Sequence, residues 1–248
     1  MSTRPAALLA VAGAAAVLAS CGDKESTQAP AALTDAQASL MAGALDENRR
    51  AGGARFRVTS LDAPGGSTIT LDGQVDWRRR SGHATVSARS GANGVTEVGW
   101  GPKVVVEQRP GLADEIARVR PGAVLVARPP DQQRRRLDQL IAVVGSLATR
   151  RRENPLLIRQ EPGSAFLRSD TLRGRRVEVL RYGKRTTLWI DPSTRRLVRL
   201  ESRGTGGTPV IIDILSSGPQ EIPGPNPRLV VAASQLRPSY SSLAPASP

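Results

Sequence analysis

Side chains able to do chemistry are few in this chain of 248 residues, and they stand far apart. Cys21 is its only cysteine and His83 its only histidine. Zinc takes its ligands from several Cys, His and carboxylate side chains at once, so no metal set is expected. His83 lies in SGHATVS, at a strand start with Thr85 and Ser87, and reads as a surface imidazole rather than a general base. Asp72 and Asp76 stand four apart on the polar face of STITLDGQVDW. With no further group beside them they read as solvent-facing charges, not as an acid/base pair. GTGGT at 204–208 has glycines suited to a phosphate cradle but no lysine and no following helix, so it reads as a hairpin turn. No catalytic residue and no cofactor is expected.

What remains is the thiol of Cys21. It closes an apolar run, residues 6–19, that follows a single basic residue, Arg4. Such a run is too short to cross the ~30 Å hydrocarbon layer as a helix. Its plan is that of an export signal: a basic start, an apolar stretch, then small residues before a cut. Leu18, Ala19 and Ser20 ahead of Cys21 resemble the lipobox of bacterial lipoproteins. The resemblance implies cleavage after Ser20 and a diacylglyceryl thioether on Cys21. Two acyl chains hold a protein stably on a bilayer where one binds marginally, so the membrane is a partner and the extracytoplasmic face of the cell membrane is the expected location.

The formal net charge is +13, and all but three of the 35 basic residues are arginine. Basic charge of this size often marks a nucleic-acid binder. Export argues against that partner and points to anionic lipid headgroups or cell-wall polymers.

Four parts are expected: residues 1–20 a cleaved signal, 21–34 a lipidated flexible tether, 35–231 one folded domain, and 232–248 a disordered tail rich in Pro and Ser. The domain is long enough to bury a core as a monomer. Thr34 or Asp35 starts a helix running to about Arg50, with Ala36, Leu40, Met41, Ala44 and Leu45 on one face. Period-two segments then follow near 54–60, 67–77, 82–89, 94–100, 103–109 and 123–127. In the second of these, Ile69, Leu71, Gly73, Val75 and Trp77 share a face.

DQQRRRLDQLIAVVGSLATRRR, residues 131–152, reads as a long helix capped by Asp131, with Leu137, Leu140, Ile141, Val144, Leu147 and Ala148 as its apolar stripe. Asn154 before Pro155 marks its far end. Strand patterns resume in AFLRS, RRVEVLRY, TTLWID, RRLVRLES and TPVIIDIL.

This order, with GRRVEVLRYG, TTLWIDPSTRRLVRLES, PVIIDILSSG and IPGPNPRLVV, resembles the LolA-like fold and most of all the LppX and LprG group of cell-envelope lipoproteins. The resemblance implies an α+β domain: a strongly curved antiparallel β-sheet, an unclosed half-barrel, with helices covering the concave face. It also implies a hydrophobic ligand, such as an acyl lipid, held between sheet and helices. Leu137, Leu140, Ile141, Val144, Leu147 and Trp189 are the expected lining. Equally, the same aliphatic stripe closes the space, which leaves a filled core and an envelope protein as partner. Arg134, Arg135 and Arg136 oppose the helix macrodipole at the start of the long helix, and contact with anionic headgroups is the expected reason. Arginines 150–152 suit its last turn and need no other.

Overall fold

The computed structural model describes residues 29–62, 67–88, 94–203 and 208–236. Cys21 and Leu18, Ala19 and Ser20, the expected lipobox, lie outside the described residues, as do the rest of the expected signal and the last twelve residues.

Helix α1 spans Asp35–Ala51. Thr34 and Gln37 form a reciprocal capping box at its start, and Gly52, at φ +92°, ends it in the left-handed conformation that glycine adopts without penalty. Leu33 and Ala38 occupy the positions of a hydrophobic staple and are both buried. Ala38 therefore takes the inward role expected of Ala36, which is exposed. Within the segment expected as a tether, Ala31 exchanges both main-chain hydrogen bonds with Phe166, at 2.9 and 2.8 Å.

Six strands follow: β1 (Gly53–Asp62), β2 (Ser67–Asp76), β3 (Ser81–Ala88), β4 (Glu97–Trp100), β5 (Val105–Gln108) and, after the short helix α2 (Ala113–Val119), β6 (Leu125–Arg128). Helices α3 (Arg136–Ser146) and α4 (Pro155–Gln160) lead to β7 (Ala165–Leu172), β8 (Arg175–Tyr182), β9 (Thr186–Ile190), β10 (Leu197–Arg203), β11 (Pro209–Ser217) and β12 (Val230–Ala232). All twelve strands form one sheet in the order β12-β6-β5-β4-β3-β2-β1-β11-β10-β9-β8-β7. Every pairing is antiparallel except β12 with β6. The two halves of the chain meet where β1 pairs with β11, with Phe56 opposite Ile214 and Val58 opposite Ile212.

A single apolar cluster takes side chains from α1, α3, α4 and ten neighbouring strands, β5 round to β7. Ten strands laid flat would span about 43 Å, at roughly 4.8 Å per spacing, whereas the two longer helices, α1 and α3, of ~10 Å diameter cover about half of that. One continuous core is possible because the sheet curls around the helices. The fold is the expected unclosed, antiparallel-dominated α+β half-barrel.

Three features depart from expectation. Helix α3 starts at Arg136 rather than after Asp131, with Arg135 at its N-cap, and ends at Ser146 rather than near residue 152, since the N–H of Leu147 bonds back to Val144 and that of Thr149 turns to the carbonyl of Leu45 on α1. Asn154 opens a helix instead of closing one: its side chain accepts from the Leu156 N–H and Pro155 takes the first helical position. Residues 233–235, expected in the tail, form a 3₁₀ turn, and Leu236 is buried with Ile116, Val126 and Val231.

Candidate functional site

Helix α3 lies along the concave face with Leu140, Val144 and Leu147 fully buried against the sheet. Leu137 is half-buried against the same cluster, and Ile141 is nearly covered. The stripe read from the sequence thus fills the space beneath the helix. Open space lies beside it. A cleft of about 730 Å³ runs along the neighbouring flank of α3, past Asp138, Ile141, Ala142, Gly145 and Ala148. This is the same helix turned by one residue, about 100°.

The opposite wall comes from the sheet: Val75 and Trp77 at the end of β2, Trp100 on β4, and Val105 on β5. Both indoles are buried. Trp77 donates its Nε1–H to the carbonyl of Val144 at 3.1 Å, which pins the helix to the sheet at the cleft's floor. Trp100 lies across Gly82 on β3, where a Cβ would stand 2.1 Å from the ring. Glycine there makes room for the indole.

Three arginines stand at the edge of this apolar floor: Arg49, Arg80 and Arg150. Arg49 donates to the Trp77 carbonyl at 3.1 Å. Arg80 closes the β2–β3 turn at φ +56°. That turn is fastened by Asp76, whose Oδ1 accepts the N–H groups of Arg78 and Arg79 at 2.8 and 2.9 Å. Asp76 is consequently buried rather than solvent-facing, while Asp72 pairs with Arg57 at 2.7 Å. Among the described residues no hydrogen bond or ion pair engages the side chains of Arg80 and Arg150. Two cationic groups therefore face the mouth with their charge uncommitted.

Behind the cleft the same face carries a buried ionic group that the sequence reading missed. Glu107 on β5 accepts from Arg109 at 2.7 Å and from Arg128 on β6, and Arg128 also bonds Asp138 on α3 at 2.6 Å. All four side chains are buried. Burial pushes the Glu107 carboxyl up, but the hydrogen bonds and charges of Arg128 and Arg109 outweigh it and hold the group below its ordinary value. A charge in phase with Val105 on a strand's buried face was the available signal.

The remaining expected site residues are dispersed. Trp189 lies with Val177, Val179 and Val198 in a separate cluster. Its sheet neighbours in sequence, Leu188 and Ile190, belong to the helix-side core instead, so strand alternation puts the indole on the other face, under the guanidinium of Arg199 at 5.9 Å. Trp189 therefore lines no cleft with α3. Arg134 is exposed in the turn that Asp131 caps, and Arg135 and Arg136 are half-buried. Arg136 donates to Ser60 at 2.8 Å and Gln139 at 3.1 Å. His83 is 3.8 Å from Glu97 beside a smaller groove of about 390 Å³ on the other face of the sheet. Among the described residues no group of His, Cys, Asp and Glu could hold a metal ion.

No protein-family model and no curated protein sequence matches the chain. Solved structures do. The chain is similar to the lipoprotein LppX of Mycobacterium tuberculosis, with 11% identity and a TM-score of 0.46 over 75% of this chain and 96% of that one. It is similar to LprF of Mycobacterium bovis, with 17% identity and a TM-score of 0.45 over 79% and 99%. A LolA superfamily protein of Nitrosomonas europaea shows 12% identity and a TM-score of 0.31 over 77% and 96%.

Proposed function

We propose that this chain is an exported lipoprotein, anchored through Cys21, that holds the apolar part of an anionic amphiphile in the cleft beside α3. The observation that carries the reading is the joining of an apolar floor, Trp77, Trp100, Val105 and Ile141, to a rim of Arg49, Arg80 and Arg150. A volume of about 730 Å³ is within the roughly 300–1,000 Å³ of small-molecule sites. Burial of acyl methylenes supplies ~25 cal/mol per Å² of apolar surface, and guanidinium groups meet the headgroup as charge-assisted donors. The work is binding, not bond making.

Tryptophan fluorescence tests this directly, because two of the three indoles line the cleft. Full-length protein is titrated with a phosphatidylglycerol whose acyl chain carries bromine, which quenches indoles on contact. Saturable quenching in Trp189→Phe protein, and none in protein retaining Trp189 alone, is expected. Equal quenching of both contradicts the reading.

A second reading rests on the filled space beneath α3: a protein-interaction lipoprotein that carries no lipid. It predicts no saturable quenching in either protein.

A further inference from the structure

Leu156 and Leu157 on α4 are 60% and 64% exposed, more than any other large apolar side chain among the described residues, where the next is Val124 at 46%. Nothing local demands this. The helix already anchors itself by burying Ile158 at 2% exposure and by its Asn154 cap. Two adjacent leucines in water form an apolar knob with no intramolecular use.

Its surroundings are cationic. Residues 150–160 read RRRENPLLIRQ, four arginines against one glutamate. Arginines 150–152 lie beyond the end of α3, so the macrodipole that would explain them there is absent. Arg152 reaches back to the Ser39 carbonyl at 3.2 Å, and Arg159 pairs with Asp35 at the start of α1. Arg150 and Arg151 are exposed.

The knob also lies at the end of the domain where the chain enters. The Asp35–Arg159 pair ties α1 to α4, and Ala31 is bonded to Phe166 at the start of β7, just past α4. From Cys21 to the first described residue, Ala29, the chain extends at most about 28 Å. Arg150 belongs to the cleft's rim and stands six residues before Leu156.

From the exposed leucines, their arginine flank and this placement, we propose that α4 is a membrane-docking surface. Leu156 and Leu157 enter the interfacial zone of an anionic bilayer, arginines 150 and 151 meet lipid phosphates, and the cleft's mouth is held towards the membrane. Two leucines and a basic flank give shallow, reversible insertion, unlike a spanning helix. The short reach of the tether rests on the anchored reading above, whereas the knob and its charge do not.

The test places an environment-sensitive fluorophore at Leu157→Cys or Val124→Cys in full-length protein mixed with phosphatidylcholine vesicles containing one quarter phosphatidylglycerol. Flotation reports anchoring, and quenching by spin-labelled lipid reports docking. Docking predicts quenching at 157 but not at 124, weakened roughly fivefold per arginine when Arg150 and Arg151 become Gln. Flotation without quenching at 157 overturns docking alone and is the result expected if α4 meets a protein. Quenching at 157 that survives Cys21→Ser in chains that no longer float tightly supports docking without the anchor. Neither flotation nor quenching overturns both.

Discussion

Phe56 on β1 and Trp100 on β4 bring their rings to 6.2 Å, inclined at 56°, although two strands stand between them. In a flat sheet their strands would be about 14 Å apart. Gly73 faces Phe56 on β2 and Gly82 faces Trp100 on β3, so the aromatic rings lean over main chain that bears no side chain. The sheet is therefore curled across these four strands, where Trp100 forms part of the cleft's inner wall.

Replacing Gly82 by Ala therefore drives a methyl group into the indole, 2.1 Å from its nearest ring atom. A loss of roughly 1–3 kcal/mol is expected, as for other overpacked cores. The denaturant midpoint falls while the slope of the transition stays unchanged.

Gly145 gives the opposite result. It lines the cleft, and a Cβ there meets nothing within 4 Å. Gly145→Ala is expected to stabilise the protein by about 0.5–1 kcal/mol, because glycine inside a helix carries an entropic cost. Gly145→Leu keeps the fold and occupies the cleft. Thermal melting and bromolipid quenching on the same sample separate the two effects.

Charge at the rim is tested by the double substitution Arg80→Gln, Arg150→Gln. Affinity for an anionic amphiphile should drop about tenfold or more, while an uncharged analogue of equal chain length binds as before. Raising salt from about 50 to about 500 mM should weaken the parent protein and hardly affect the variant.

Glu107 governs acid stability. Its carboxyl titrates lower in the folded protein than the ordinary value of 4.5. Between the two values the unfolded chain binds more protons, so the contribution is complete above pH 4.5 and is lost as pH falls through the folded value. Glu107→Gln removes that part of the pH slope. It also costs about 3–5 kcal/mol at pH 7, because Arg109 and Arg128 lose the buried carboxylate that they share, while Arg128 keeps Asp138. Urea unfolding between pH 7 and pH 3 reads both effects.

Much of the architecture was legible because its signals are local. The capping residues of α1, the alternation of β2 and the turn at Asp191, whose Oδ1 accepts from the N–H groups of Ser193 and Thr194, all depend on neighbours within four residues. Strand β12 was not legible: three residues gain their partner only when residues 230–232 meet 125–127 in parallel register. Periodicity identified the stripe of α3 but could not say whether it faced a void, since a stripe that closes a core and one that lines a pocket have the same spacing. The rim arginines come from the end of α1, the β2–β3 turn and the segment after α3. They became a group only when the curled sheet brought those segments together. Trp189 was misplaced for a simpler reason, as a strand residue one position off the core-facing phase changes face.

Native mass spectrometry of the protein, expressed from its whole sequence in a bacterial host and purified in mild detergent, tests the central claim most directly. The account predicts a discrete mass beyond the chain and its anchor, released by organic extraction as an anionic acyl lipid and missing from the Gly145→Leu variant. A chain that carries its anchor alone, and remains so after incubation with envelope lipids, would contradict it.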